Sequence, residues 1–101
     1  MKTLLNLTAA VLFSGLASVS FAGDAAAGKA KSMTCAGCHG ANGISNNPMW
    51  PNLAGQKQAY LASSLQMYRD GRRVNAMMSA MAKNLTDADI ANLAAYYSGL
   101  K

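Results

Sequence analysis

Residues 35–39 read CAGCH, and they hold the only two cysteines and the only histidine of a 101-residue chain. Three familiar uses of a cysteine pair each leave something over. A disulfide between Cys35 and Cys38 would close a very short loop, stabilise less than a long cross-link would, and give His39 no part. A thiol redox site of this spacing wants a strand–helix–strand setting, and no segment alternates apolar and polar residues over a strand length. A closed zinc site needs four ligands, and three side chains this close in sequence are hard for one ion to share.

Upstream, MKTLLNLTAAVLFSGLASVSFA at 1–22 reads as a secretory signal. Lys2 gives the positive start, Leu4 to Leu16 a mostly apolar centre, and Ser20 and Ala22 the small residues before a cut after Ala22. Asn6, Thr8, Ser14 and Gly15 interrupt the apolar run, which falls short of the roughly 20 residues of a spanning helix. The expected product is one domain, residues 23–101, exported to the periplasm. At about 79 residues its apolar core is marginal, so a bound group anchored at the cysteines is expected to supplement it. With Lys2 set aside, eight Lys and Arg stand against four Asp. This balance favours acidic partner surfaces. It does not favour nucleic acid, because the basic residues are not interleaved with aromatics.

Downstream of the leader the signals are helical. DAAAGKAKSMT at 24–34 begins with a good N-cap and leads into the cysteines as a short helix. GANGISNNPMWPNLAG at 40–55 is dense in Gly, Asn and Pro and reads as a long loop. QKQAYLASSLQMYRD at 56–70 places Tyr60, Leu61, Leu65 and Tyr68 at helical spacing before Gly71. GRRVNAMMSAMAKN at 71–84 reads as a second loop, or a loop with one turn. In LTDADIANLAAYYSGLK the pair Thr86 and Asp89 forms a capping box, and Ile90, Leu93, Ala94 and Tyr97 fall on one stripe. The expectation is an all-α domain of three main helices and two long loops. Such loops in so small a domain are expected to wrap something other than protein.

Covalent haem attachment accounts for the loops, the small core and the lone histidine together. Each thiol adds to a haem vinyl group, and the histidine that follows becomes the proximal iron ligand. What fills the other axial position decides the function. A methionine sulfur closes the site and makes an electron carrier, and Met77, Met78 and Met81 are the candidates. A labile sixth position would instead suit a haem peroxidase or a small-ligand sensor, but no general acid or base constellation accompanies the motif.

CAGCH, PNLAGQ at 51–56, MMSAM at 77–81 and LTDADIANLAAYY at 85–97 together resemble the class I c-type cytochromes. The likeness covers residues 23–101, and small bacterial monohaem members and one half of the dihaem members look most similar. The resemblance implies one haem c held by Cys35 and Cys38, with His39 as proximal ligand. It gives Pro51 a carbonyl that steadies the histidine ring, and it places Trp50 near the haem. The family's closing pattern sets the distal methionine seven residues before Leu85, at Met78, with Met81 as runner-up. Where family members often carry a proline beside this ligand, Met77 and Ser79 stand here. Gly28 of the first helix and Tyr96 of the last occupy the places of a close helix crossing. The function implied is a monomeric electron carrier with no bond-making chemistry of its own. From their place in the sequence alone, flanking the methionine segment, Arg69, Arg72, Arg73 and Lys83 would ring the exposed haem edge and meet acidic redox partners such as a terminal oxidase, a peroxidase or a quinol-oxidising complex.

Overall fold

The computed structural model describes residues 23–101, and the expected leader with its cut after Ala22 lies outside the described residues. Helix α1, Ala25–Lys31, starts where the Asp24 carboxylate accepts from the Ala26 and Ala27 amides at 2.9 and 3.3 Å. These bonds satisfy donors that the first helical turn leaves free. A 3₁₀ turn, Ser32–Thr34, carries the chain into the single turn of α2, Ala36–His39. Gly40 stops it with φ 86, a conformation open to glycine.

Helix α3, Gln58–Asp70, begins two residues later than the expected Gln56 and ends at Gly71 in the left-handed region, φ 79. Helix α5, Asp87–Ser98, carries the expected capping box. Thr86 Oγ1 accepts from the Asp89 amide and Asp89 accepts from the Thr86 amide, both at 3.0 Å. All four stripe residues, Ile90, Leu93, Ala94 and Tyr97, are buried.

One expectation is overturned. The methionine segment forms a seven-residue helix, α4, Ala76–Ala82, where a loop or a single turn was expected. Its cause is Asn75, whose side-chain oxygen accepts from the Met77 and Met78 amides at 3.1 and 3.0 Å. Alanine and methionine are good helix formers, and a capped run of them needs no long amphipathic period to propagate. All the described secondary structure is helical, and no strand occurs among the described residues.

Helix α5 organises the rest by packing on α1 and on α3, while α4 packs on α3. Gly28 is buried where α1 crosses α5, and a Cβ there would overlap the Asn92 carbonyl and press on Tyr96 Cβ. The crossing is pinned at its ends by the Asp24 amide donating to Asn92 Oδ1 at 2.7 Å and by Lys31–Asp89 at 3.5 Å. Leu61, Leu93, Ala94 and Tyr97 form a small shared core. The chain from 40 to 57 is ordered by its own bonds. The Leu53 and Ala54 amides donate to the Gly43 carbonyl, Ser45 N–H donates to Asn52 Oδ1, and Gly55 N–H donates to the Tyr97 carbonyl.

Candidate functional site

A cavity of about 480 Å³ opens between α2, the 40–57 loop, α3, α4 and α5. That is the range of small-molecule and cofactor sites. Leu53, Leu61, Leu65, Leu85 and Leu93 give it an apolar lining. Into the same space come Cys35, Cys38 and His39 from one side of the chain and Met77, Met78 and Met81 from α4. The residues singled out in the sequence therefore converge, Trp50 and Pro51 included.

His39 is 6 % exposed, and its Nδ1 lies 2.8 Å from the Pro51 carbonyl oxygen. A carbonyl only accepts, so this contact places the ring proton on Nδ1 and leaves Nε2 with its lone pair free for a metal. The bond also fixes the ring's orientation, as a partner beyond the ligand atom does at metal sites.

Cys35 and Cys38 are half-buried free thiols, so the disulfide is not formed. Burial pushes the Cys35 thiol up, against the opposing pull of the nearby Thr34 and Tyr97 hydroxyls. Nor do the described residues gather three His, Cys, Asp or Glu side chains into a metal cluster. Two adjacent free thiols and an oriented imidazole on the wall of an apolar cavity fit a flat apolar macrocycle that carries a metal.

The three methionines are not equivalent. Met78 is half-buried, whereas Met77 and Met81 are 54 and 47 % exposed. The basic residues also separate on inspection. Arg69 was expected to ring the site, but it donates to Asp87 Oδ1 at 2.7 Å and to the Leu85 carbonyl at 3.3 Å, and it also pairs with Asp70. Its charge is largely spent inside the molecule. Arg72 pairs with Asp70 at 3.2 Å, and Lys83 is exposed. Arg73 reaches the cavity and lies over the Tyr68 ring, 4.7 Å from its centroid.

Sequence reasoning did not single out three of these features. Asn75 as a cap was readable in principle, since an asparagine before an Ala/Met run is an N-cap signal. The stacking of Arg73 over Tyr68 and the surroundings of the Tyr97 hydroxyl had no sequence signal.

The fold and the site together define a c-type cytochrome. The cytochrome c family model matches residues 25–101, from the first residue of α1 to the last of the chain, and the chain belongs to the cytochrome c family. It is a class I, monohaem-type domain, and the family's cofactor is one covalently bound haem c. Among relatives, cytochrome c-554(548) of Halomonas halodenitrificans is 54 % identical over 80 residues, covering 76 % of this chain and 96 % of that protein. Cytochrome c4 of Pseudomonas aeruginosa is 43 % identical over 100 residues, which is 99 % of this chain and 49 % of that protein. The crystal structure of reduced recombinant cytochrome c4 from Pseudomonas stutzeri superposes with a TM-score of 0.75 at 39 % identity, over 79 % of this chain and 47 % of that one. The chain thus spans about half the length of the cytochrome c4 relatives it matches, and it is similar to one half of such a dihaem protein.

Proposed function

We propose that this protein is a one-electron carrier of the periplasm, its haem held by thioethers at Cys35 and Cys38 and ligated by His39 and Met78. The observation that carries the reading is the His39–Pro51 bond beside two free thiols on the wall of an apolar cavity. When bound, the haem supplies a reversible Fe(II)/Fe(III) couple. The chain supplies the rest. The Pro51 carbonyl keeps the Nδ1 proton and so presents Nε2 as a fixed ligand atom. The leucines around the cavity exclude water, which limits the rearrangement of polar surroundings as charge changes. Met78 is the least exposed of the three α4 methionines that reach the cavity, which supports it over Met81 as the distal ligand.

Reduction and oxidation would pass through the cavity mouth, where Met49, Tyr60, Met77 and Met81 leave apolar surface exposed. Arg73 and Lys83, whose charges are not taken by an ion pair among the described residues, supply the positive potential that would steer acidic redox proteins to this face. An exported location agrees with the leader-like residues 1–22, and no described helix is long and apolar enough to cross a membrane.

The test is the absorption spectrum of the purified holoprotein, oxidised and then reduced. A six-coordinate carrier shows sharp reduced bands and a weak red band of sulfur-ligated ferric iron. Met78→Ala is expected to abolish the red band and Met81→Ala to keep it. A high-spin spectrum in the wild type, with ready binding of carbon monoxide, would replace this reading with peroxide or gas-ligand chemistry.

A further inference from the structure

Among the described residues, Tyr97 carries the buried side-chain polar atom that has no hydrogen-bond partner. Its hydroxyl is unpaired although the residue is 3 % exposed. Buried phenols are almost always bonded, so an unpaired one asks for an acceptor that the folded polypeptide does not itself provide. Nor can the ring swing its hydroxyl out to water. Tyr97 sits in α5, its carbonyl accepts from Gly55 N–H at 2.9 Å, and the Tyr96 ring lies 5.0 Å away. On another side Gly43 stands so close that a Cβ there would meet Tyr97 Cδ1 at 3.1 Å.

The hydroxyl is thus held at the cavity wall, in the core cluster against which Cys35 packs. Its polar neighbours are the Cys35 and Ser32 side chains, both within electrostatic reach and neither at the distance and angle of a hydrogen bond. Ser32 already commits its proton to the Lys29 carbonyl at 2.6 Å.

We propose that the Tyr97 hydroxyl is a built-in donor to the sulfur of Cys35 once that sulfur is a thioether, and that this bond raises the reduction potential of the haem. The inference rests on haem attachment through Cys35. In that addition a sulfur–carbon bond forms to the vinyl group, the thiol hydrogen passes to the neighbouring vinyl carbon, and no oxidant or reductant is consumed. Cys35 thereby loses its only donor and keeps its lone pairs. Between a thiol and a phenol either group can donate, whereas between a thioether and a phenol only Tyr97 can. The positive end of its O–H dipole then points toward the cofactor. That orientation disfavours the ferric state, which carries the extra positive charge, and hydrogen bonds and burial of this kind set haem potentials.

The experiment uses the holoprotein. Tyr97→Phe keeps the ring and removes the oxygen. Haem content, the sharp reduced bands and the red sulfur–iron band are expected to stay as in the wild type, while the ratio of reduced to oxidised protein at a fixed ambient potential falls about threefold. With tyrosine isotopically labelled, the wild type is expected to show the infrared C–O band of a donor phenol, absent from Tyr97→Phe and unmoved in Ser32→Ala. An unchanged ratio in Tyr97→Phe, or a donor band that shifts in Ser32→Ala, overturns the proposal. The infrared measurement on wild type and Ser32→Ala decides the matter even if Tyr97→Phe fails to fold. Wild-type protein without covalent haem would overturn the proposal together with the attachment reading, whereas normal haem with an unchanged ratio overturns the role of Tyr97 alone.

Discussion

Gly28 shows how one missing side chain places a whole helix. Helices α1 and α5 approach so closely at this point that a methyl group would overlap the Asn92 backbone, which belongs to a helix and cannot move aside alone. Gly28→Ala is therefore expected to destabilise the holoprotein by about 3 kcal/mol, the high end for overpacking, as read by denaturant unfolding. The pair Gly28 and Tyr96 was anticipated from family resemblance, and the structure supplies its steric reason. Tyr97, the next residue, was legible only as a member of an apolar stripe. Helical periodicity tells which face is buried, but it says nothing about whether a hydroxyl on that face finds a partner. His39 stands between these cases. Its role followed from the motif, while the proton on Nδ1 follows from the 2.8 Å approach to Pro51, twelve residues away.

Among the elements, α4 and α5 differ in how plainly their beginnings were written. Helix α5 has a reciprocal cap at Thr86 and Asp89, a long apolar stripe and twelve residues over which to display it. Helix α4 has seven residues and one cap, too short a run for a period to emerge. That cap is testable. Asn75→Ala is expected to cost about 1 kcal/mol, and Asn75→Asp to restore most of it. Because α4 carries the methionine wall, the red sulfur–iron band should also fade at a lower temperature in Asn75→Ala than in the wild type.

Helix α5 carries a pH signature of its own. The Thr86 amide, donating to Asp89 at 3.0 Å, holds that carboxyl below the usual carboxylate range, with Lys31 nearby adding to the effect. A carboxyl whose folded value lies below its unfolded one, about 3.9, stabilises fully above that pH and ceases to do so as pH falls through the folded value. Asp89→Asn should lower Tm at neutral pH, and the gap to the wild type should close below about pH 4. A gap that persists at acid pH would assign the effect to packing.

At the scale of the molecule, the buried apolar side chains among the described residues are few. They are Leu61, Ala82, Ile90, Leu93, Ala94 and Tyr97. The larger apolar surface faces a cavity, so the helices α3, α4 and α5 surround a space that they do not fill. For a domain this size such a core is insufficient alone, and a bound group becomes part of it. The double variant Cys35→Ala/Cys38→Ala, expressed without covalent haem, is expected to lose near-ultraviolet dichroism and to melt without a cooperative transition. A sharp transition in that variant would show that the protein core suffices.

Sequence alone determined the helical class, the start of α1, both ends of α5, the buried stripe and the cluster at residues 35–39. All of these rest on signals carried within a few residues: caps, spacing, glycines and one five-residue motif. Only the tertiary structure decided that the methionine helix packs on α3, that Arg69 spends its charge on Asp87, and that the Tyr97 hydroxyl faces Cys35 unpaired. The last two depend on side chains 18 and 62 positions apart. Local propensity is blind to such separations, because the energy of a contact between distant residues appears only when the chain between them has already been folded into place.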